Sequence, residues 1–562
     1  MGIWLLMPKV QSRLLVAFAL LCVYATAHAQ RSAIDTYAIT NARIVTVSGP
    51  AIERGTVVIR NGLIAAAGAN VTAPADARMI DGTGLTVYPG LIDSYTNLAL
   101  PEPAASPSPG PGGGGGGGFF LLAQQQRPAA AGPNSTQPAG LQPEVMVEDV
   151  IRPGGAEIEA SRNIGITAAL TLPRSGIWMG HSALINLAGD TPQQMIVRSP
   201  VAMHVGFTPL RTGTYPGSLL GVFSTLRQMM LDAQHYRDAM AIYERSPRGT
   251  RRPDTDRSLA ALVPVVEGKM PVVMLANSER EITRALDLAN EFKLRLIIAG
   301  GRESDRLTER LVKQNVPVLL SLNLPRRTTA AMPEADPEPM RVLRERVEAQ
   351  QTAGKLARAG VRFAFESGSL TNISDLMANA SRVIENGLQP ADALRAFTIW
   401  PAEILGVQNQ LGSIEAGKIA NLTVTRGELF DRNSRVAHVF IDGRPVDLRP
   451  ATGGGGPART NLSGAWSVNL NLGQGDRIIT LNLQQEGDRL TGAISGALGT
   501  GEISNGSITN AEVRFTVALN VEGQTKEATF TGTLANNEIR GNVAIVGAAP
   551  GPFTATRSGQ PN

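Results

Sequence analysis

The chain has 562 residues, enough for more than one domain and a sizeable core. With 43% hydrophobic and 18% charged residues it reads as globular and not as disordered. The net charge of +4 falls to +2 without residues 1–29, and no run of five like charges occurs, which argues against a nucleic-acid partner.

Residues 1–29 read as a secretory signal peptide. Lys9 and Arg13 form the positive region, Leu14 to Val23 is apolar, and Ala27-His28-Ala29 is a small-residue cleavage site. Cleavage there removes Cys22, the one cysteine, so disulfides, a thiolate nucleophile and cysteine-held zinc are all excluded. The expected location is periplasmic or extracellular. No stretch approaches the roughly 20 apolar residues of a membrane helix.

Residues 30–88 read as β-structure. Asn61-Gly62 between two apolar runs predicts a hairpin. Residues 101–143 form a Gly/Pro-rich insertion around Gly112 to Gly118, too poor in apolar residues to offset its ordering entropy, with Phe119-Phe120-Leu121-Leu122 as a sticky element inside it. Short apolar strands are predicted at 86–92, 166–172, 183–187, 201–205, 272–275, 295–299, 316–320 and 361–365. Amphipathic helices are predicted at 278–292, 303–314, 339–359 and 372–386. This alternation predicts an α/β fold, a (β/α)8 barrel over 89–400 made from a parallel sheet with helices outside.

Residues 401–448 return to strands and are expected to join 30–88 in a composite β-sandwich. A glycine-rich linker, 449–459, precedes a C-terminal antiparallel β domain, 460–562. That domain repeats a Thr/Arg-Gly pair at Thr491-Gly492, Thr531-Gly532 and Arg540-Gly541, and is expected to be a barrel or sandwich.

Two stretches carry a resemblance. Thr86-Val87-Tyr88-Pro89-Gly90-Leu91-Ile92-Asp93 resembles the entry to the first barrel strand of the amidohydrolase superfamily. Trp400-Pro401-Ala402-Glu403-Ile404-Leu405-Gly406, continuing through Leu411-Gly412-Ser413-Ile414-Glu415-Ala416-Gly417-Lys418-Ile419-Ala420-Asn421-Leu422, resembles its return from the barrel to the sandwich. The resemblance spans about 36–448 and is greatest to secreted, imidazolonepropionase-like members. It implies a divalent metal at the strand ends that activates water and polarises a carbonyl. The implied ligands are a His-x-His after strand one, single histidines after strands five and six, and an aspartate after strand eight.

This chain departs from each of those positions. Tyr95 and Asn97 stand where the two histidines would, Leu275 and Gly300 replace the single ones, and Glu366 takes the aspartate position. Asp93 keeps the carboxylate that opens the motif, and structural use of it is expected. No metal is therefore expected, although Glu366 could still move a proton. Of the remaining histidines, His204 falls in a strand, His235 on a helix and His438 in the sandwich. His181 alone is expected near the barrel mouth, and with Glu366 it is the candidate catalytic residue. No G-x-S-x-G elbow occurs, and the glycine run lacks the Lys-Ser/Thr of a phosphate loop.

Three readings follow. The first is a non-hydrolytic homologue that binds a small molecule or an active paralogous amidohydrolase, as a homo- or hetero-oligomer. The second is an active hydrolase of non-peptide carbon–nitrogen bonds with an atypical site, with zinc as the metal if the family route survives. The third is an envelope structural or adhesive module.

Overall fold

The structure is a computed structural model that describes residues 36–101, 137–210, 215–325, 339–368, 370–431, 433–448 and, between 462 and 557, the strands of a second unit. The expected signal peptide, residues 102–136 of the expected insertion and the expected linker lie outside the described residues. The chain divides into two compact units, 1–448 and 449–562.

The first unit opens with five strands, β1 (Thr36–Ile44), β2 (Ile52–Arg60), β3 (Leu63–Gly68), β4 (Arg78–Asp81) and β5 (Leu85–Pro89). Next come β6 (Leu91–Thr96), β7 (Ile166–Thr171), β8 (Trp178–His181), β9 (Ala183–Asn186) and β10 (Ile196–Arg198). They are followed by β11 (Met203–Gly206), β12 (Val272–Ala276), β13 (Leu296–Gly300), β14 (Val318–Ser321) and β15 (Phe363–Glu366). The unit ends with β16 (Leu422–Arg426), β17 (Arg435–Ile441) and β18 (Arg444–Val446).

Strands β1–β5 and β16–β18 form one eight-stranded sheet, in which β5 pairs with both β1 and β16. The flanking strands of 30–88 and 401–448, expected as a composite β-sandwich, are hydrogen-bonded as this one sheet. It curls over its own core, because Ile64 of β3 and Phe440 of β17 share a cluster with Ile39, Val57 and Leu422 despite lying near opposite ends of the strand order. The hairpin at Asn61-Gly62 is present between β2 and β3, with both residues at positive φ, 53° and 82°.

The run 86–92, expected as one strand, is split at Gly90. Its first half belongs to the flanking sheet and its second to β6. The crossing point admits no side chain, since a Cβ on Gly90 would lie 2.2 Å from the Thr167 hydroxyl.

Strands β11 to β15 are parallel to one another, and so are β6 and β7. The expected all-parallel arrangement fails at one place. Residues 178–186 run antiparallel to both neighbours, β8 against β11 and β9 against β7. The connection explains this: only 172–177 separate β7 from β8, and a parallel crossover needs a dozen or more residues.

Alternate strand residues face two different cores. Val272, Met274, Ile298, Val318 and Phe363 pack outward on helix residues such as Ile282, Leu286 and Leu356. Val273, Ile297, Ala299, Leu319 and Ala364 pack inward with Ile92, Leu170 and Leu184. Burial on both faces accounts for the unbroken apolar strands in the sequence. Helices flank the sheets at Glu279–Phe292, Met340–Ala359, Asp375–Glu385 and Pro390–Phe397. The first begins with a capping box: Ser278 accepts from Glu281 N, and Glu281 accepts from Ser278 N at 3.0 Å.

The second unit is a closed barrel of eight antiparallel strands between Gly464 and Arg557, sealed by pairing of its first and last strands. Trp466, Val468, Leu481, Phe515, Phe530 and Phe553 fill the interior, while the alternating positions Asn469, Asn482 and Arg514 are exposed. No helix among the described residues is long and apolar enough to cross a membrane.

Candidate functional site

The candidate site lies at the C-terminal ends of β6, β11, β14 and β15. Asp93 of β6 is buried. Its Oδ1 accepts from Ser367 N at 3.0 Å and from Tyr95 N at 3.4 Å, and its Oδ2 accepts a short hydrogen bond from the Ser367 hydroxyl. These bonds tie β6 to the end of β15. Burial raises the Asp93 carboxyl to about 6, against the lowering effect of the Ser367 donors.

Glu366 ends β15 and is also buried. Gly368 N donates to its Oε2 at 2.5 Å, and Ser321 supplies a side-chain hydrogen bond. Burial first, and the nearby charge of Asp93 second, push the Glu366 carboxyl up to about 8. At neutral pH Glu366 therefore holds a proton, which makes it a hydrogen-bond donor and a potential acid.

Tyr95 fills the space between β15 and β11. Its ring stands 5.7 Å, centroid to centroid, from His204 at an interplanar angle of 58°. On the other side its Cδ1 abuts Gly368, where an added Cβ would come within 2.8 Å of the ring and 2.9 Å of Glu366 Oε2. Burial, followed by the charge of Glu366, raises the phenol.

His204 is 1% exposed, and neither ring nitrogen has a hydrogen-bond partner among the described residues. Burial, then neighbouring His181, lowers it to about 3, so it is neutral. His181 ends β8, where Met203 is its register partner on β11, and burial lowers it too. Its Nδ1 is also without a partner among the described residues.

The remaining sequence candidates are not part of this cluster. Asn97 donates to the Leu172 carbonyl at 2.8 Å and secures the end of β7. Leu275 packs against the inner core. Gly300 has φ +80°, and a Cβ there would lie 2.4 Å from Asn277 Oδ1. Asp93, Tyr95 and Glu366 are thus together, with His204 in contact and His181 behind it. Sequence reasoning treated His204 as an ordinary strand histidine and missed Ser321, Ser367 and Gly368. The alternation of Ala202 and His204 between outward-facing Met203 and Val205 was the available signal for His204.

These residues do not fit a catalytic zinc, which takes three or four nitrogen, sulfur or oxygen ligands and keeps one position open. Among the described residues no group of three or more His, Cys, Asp and Glu could hold a metal ion. The two carboxylates present are engaged by Ser367 and Gly368, and the Tyr95 ring packs against both Gly368 and His204.

Comparison with known proteins gives a family match over part of the chain and a likeness of fold. Residues 275–446 match the Amidohydrolase family. A 78-residue stretch is 33% identical to N-acetylglucosamine-6-phosphate deacetylase of Haemophilus influenzae, covering 14% of this chain and 19% of that protein, so the chain spans about a fifth of that relative's length. The fold is similar to that of an amidohydrolase from Thermotoga maritima, with a TM-score of 0.61 and 23% identity, over 74% of this chain and 100% of that one. The chain is thus similar to amidohydrolases in residues 275–446 and in the fold of its first unit.

Proposed function

We propose that this chain is an exported amidohydrolase-superfamily protein whose strand ends have given up the metal and its hydrolysis. On this reading β6, β7, the reversed strand 178–186 and β11 to β15 are eight staves of one (β/α)8-type barrel. Its role is to bind a small molecule or an active paralogue. The observation that carries this reading is the Tyr95 ring, wedged between Glu366 and Gly368 on one side and His204 on the other. It takes the space that an ion bound by these strand ends would need. A fold can persist after its chemistry is lost.

The test is elemental analysis of the purified protein after zinc or manganese supplementation. The expected content is far below the roughly one ion per chain of a catalytic site. One tightly held ion per chain overturns the proposal.

A second reading rests on Glu366, whose buried carboxyl at the end of β15 is held protonated at neutral pH. Raised carboxylic acids of this kind serve as general acids. On this reading the chain hydrolyses non-peptide carbon–nitrogen bonds without the family's metal. A screen of cyclic amides and dipeptides tests it, and Glu366→Gln should abolish any turnover found. An unchanged rate removes Glu366 from the chemistry.

A further inference from the structure

A cleft of the first unit lies away from the strand ends. It has a volume of about 610 Å³ and lies where the flanking sheet meets the helices Asp375–Glu385 and Pro390–Phe397. That volume is in the range of about 300–1,000 Å³ usual for small-molecule sites. Val45, Ile384, Leu394, Leu429 and Phe430 give it apolar walls.

The polar groups of the cleft are fixed by one another. Tyr88 is 3% exposed; its hydroxyl donates to Glu428 Oε2 at 2.9 Å and accepts from Leu429 N at 3.4 Å. Arg43 donates to Glu428 Oε1 at 2.8 Å and faces Glu53 at 3.5 Å. The guanidinium is thus shared between two carboxylates and has little to offer an incoming anion. Glu385 and Asp431 add two further carboxylates at the rim. The Asp431 carboxylate has no partner among the described residues.

We infer that this cleft binds a compact apolar cation, such as an arylalkyl amine, with its hydrocarbon against Ile384, Leu394 and Phe430 and its ammonium toward Glu428 and Asp431. Burial of the hydrocarbon supplies affinity. The carboxylates of Glu428 and Asp431 beside Arg43, the one guanidinium of the cleft among the described residues, supply the choice of charge, because a like charge in the same place is repelled. This inference is independent of how the strand ends function, since no residue is shared between the two places.

The experiment is isothermal titration calorimetry on the full chain at pH 7 and low salt. The probes are 1-naphthylmethylamine, 1-naphthylmethanol and 1-naphthylacetate, which share a ring system and differ in charge. The amine should bind with one-to-one stoichiometry, about tenfold or more tightly than either analogue. Ala391→Trp, at an exposed position on the rim, should obstruct the cleft and weaken the amine by a similar factor. Asp431→Asn, also exposed, should narrow the gap between amine and alcohol, and it decides the matter if the tryptophan variant does not fold. Equal binding of the three probes, no binding of the amine, or insensitivity to both cleft variants would each overturn the inference.

Discussion

Replacing Glu366 by Gln should change how stability depends on pH, in a direction set by burial. The carboxyl has an ordinary value of 4.5 and is raised to about 8 in the native protein. Below 4.5 both folded and unfolded chains are protonated, and the stability tied to this group is fully present. Between 4.5 and 8 the unfolded chain ionises while the native one keeps its proton, so stability falls as pH rises and levels off above the native value. One unit of separation corresponds to about 1.4 kcal/mol, so the loss between pH 5 and pH 8 is on the order of 4 kcal/mol. Glutamine keeps an acceptor for Gly368 N and never ionises. Urea denaturation of wild type and variant at pH 5, 6, 7 and 8 reads the difference. Any cost of packing the amide is the same at every pH and shifts the whole curve, whereas the slope belongs to the proton. Asp93, raised to about 6, contributes a slope of the same sign to both proteins. Parallel curves for the two proteins would refute the argument.

Three further outcomes follow from the same cluster. Tyr95→Ala should remove the ring that fills the strand ends and destabilise by about 3–5 kcal/mol, measured by denaturation. Gly368→Ala should cost about 1–3 kcal/mol through overpacking against that ring, and less when Tyr95 is already alanine, which a double-mutant cycle would detect. His204→Leu should be neutral or stabilising, because it deletes two buried nitrogens that have no partner. A marked loss of stability instead would mean that a bound water or ligand satisfies them.

The sequence made the strands legible because both their faces are buried. Ile166 to Thr171 and Val272 to Ala276 carry no charge and are mostly apolar, and the capping box at Ser278 and Glu281 marks a helix start at residue resolution. The reversed strand 178–186 was not legible from composition. Its direction is set by the shortness of the connection before it, which becomes informative only once the neighbours are known. Likewise the division at Gly90 depends on Thr167, 77 positions away in the chain. Among the site residues, Asp93, Tyr95 and Glu366 could be found because a motif located them. His204 and Gly368 could not, since their importance lies in what a ring on another strand requires of them.

The pairing of β5 with β16 has a consequence for how the chain must mature. Thr86 lies opposite Thr425, so the central ladder of the flanking sheet closes a loop of more than three hundred residues. Until Leu422 to Arg426 has been made, β5 has an open edge on that side, and the apolar residues that later share a core with Phe440 are uncovered. Open edges of this kind invite pairing with other chains, and distant pairings form slowly. A nascent chain that ends anywhere before Leu422 is therefore an aggregation hazard however well its other strands have formed, and a chaperone should be needed most just before those five residues arrive.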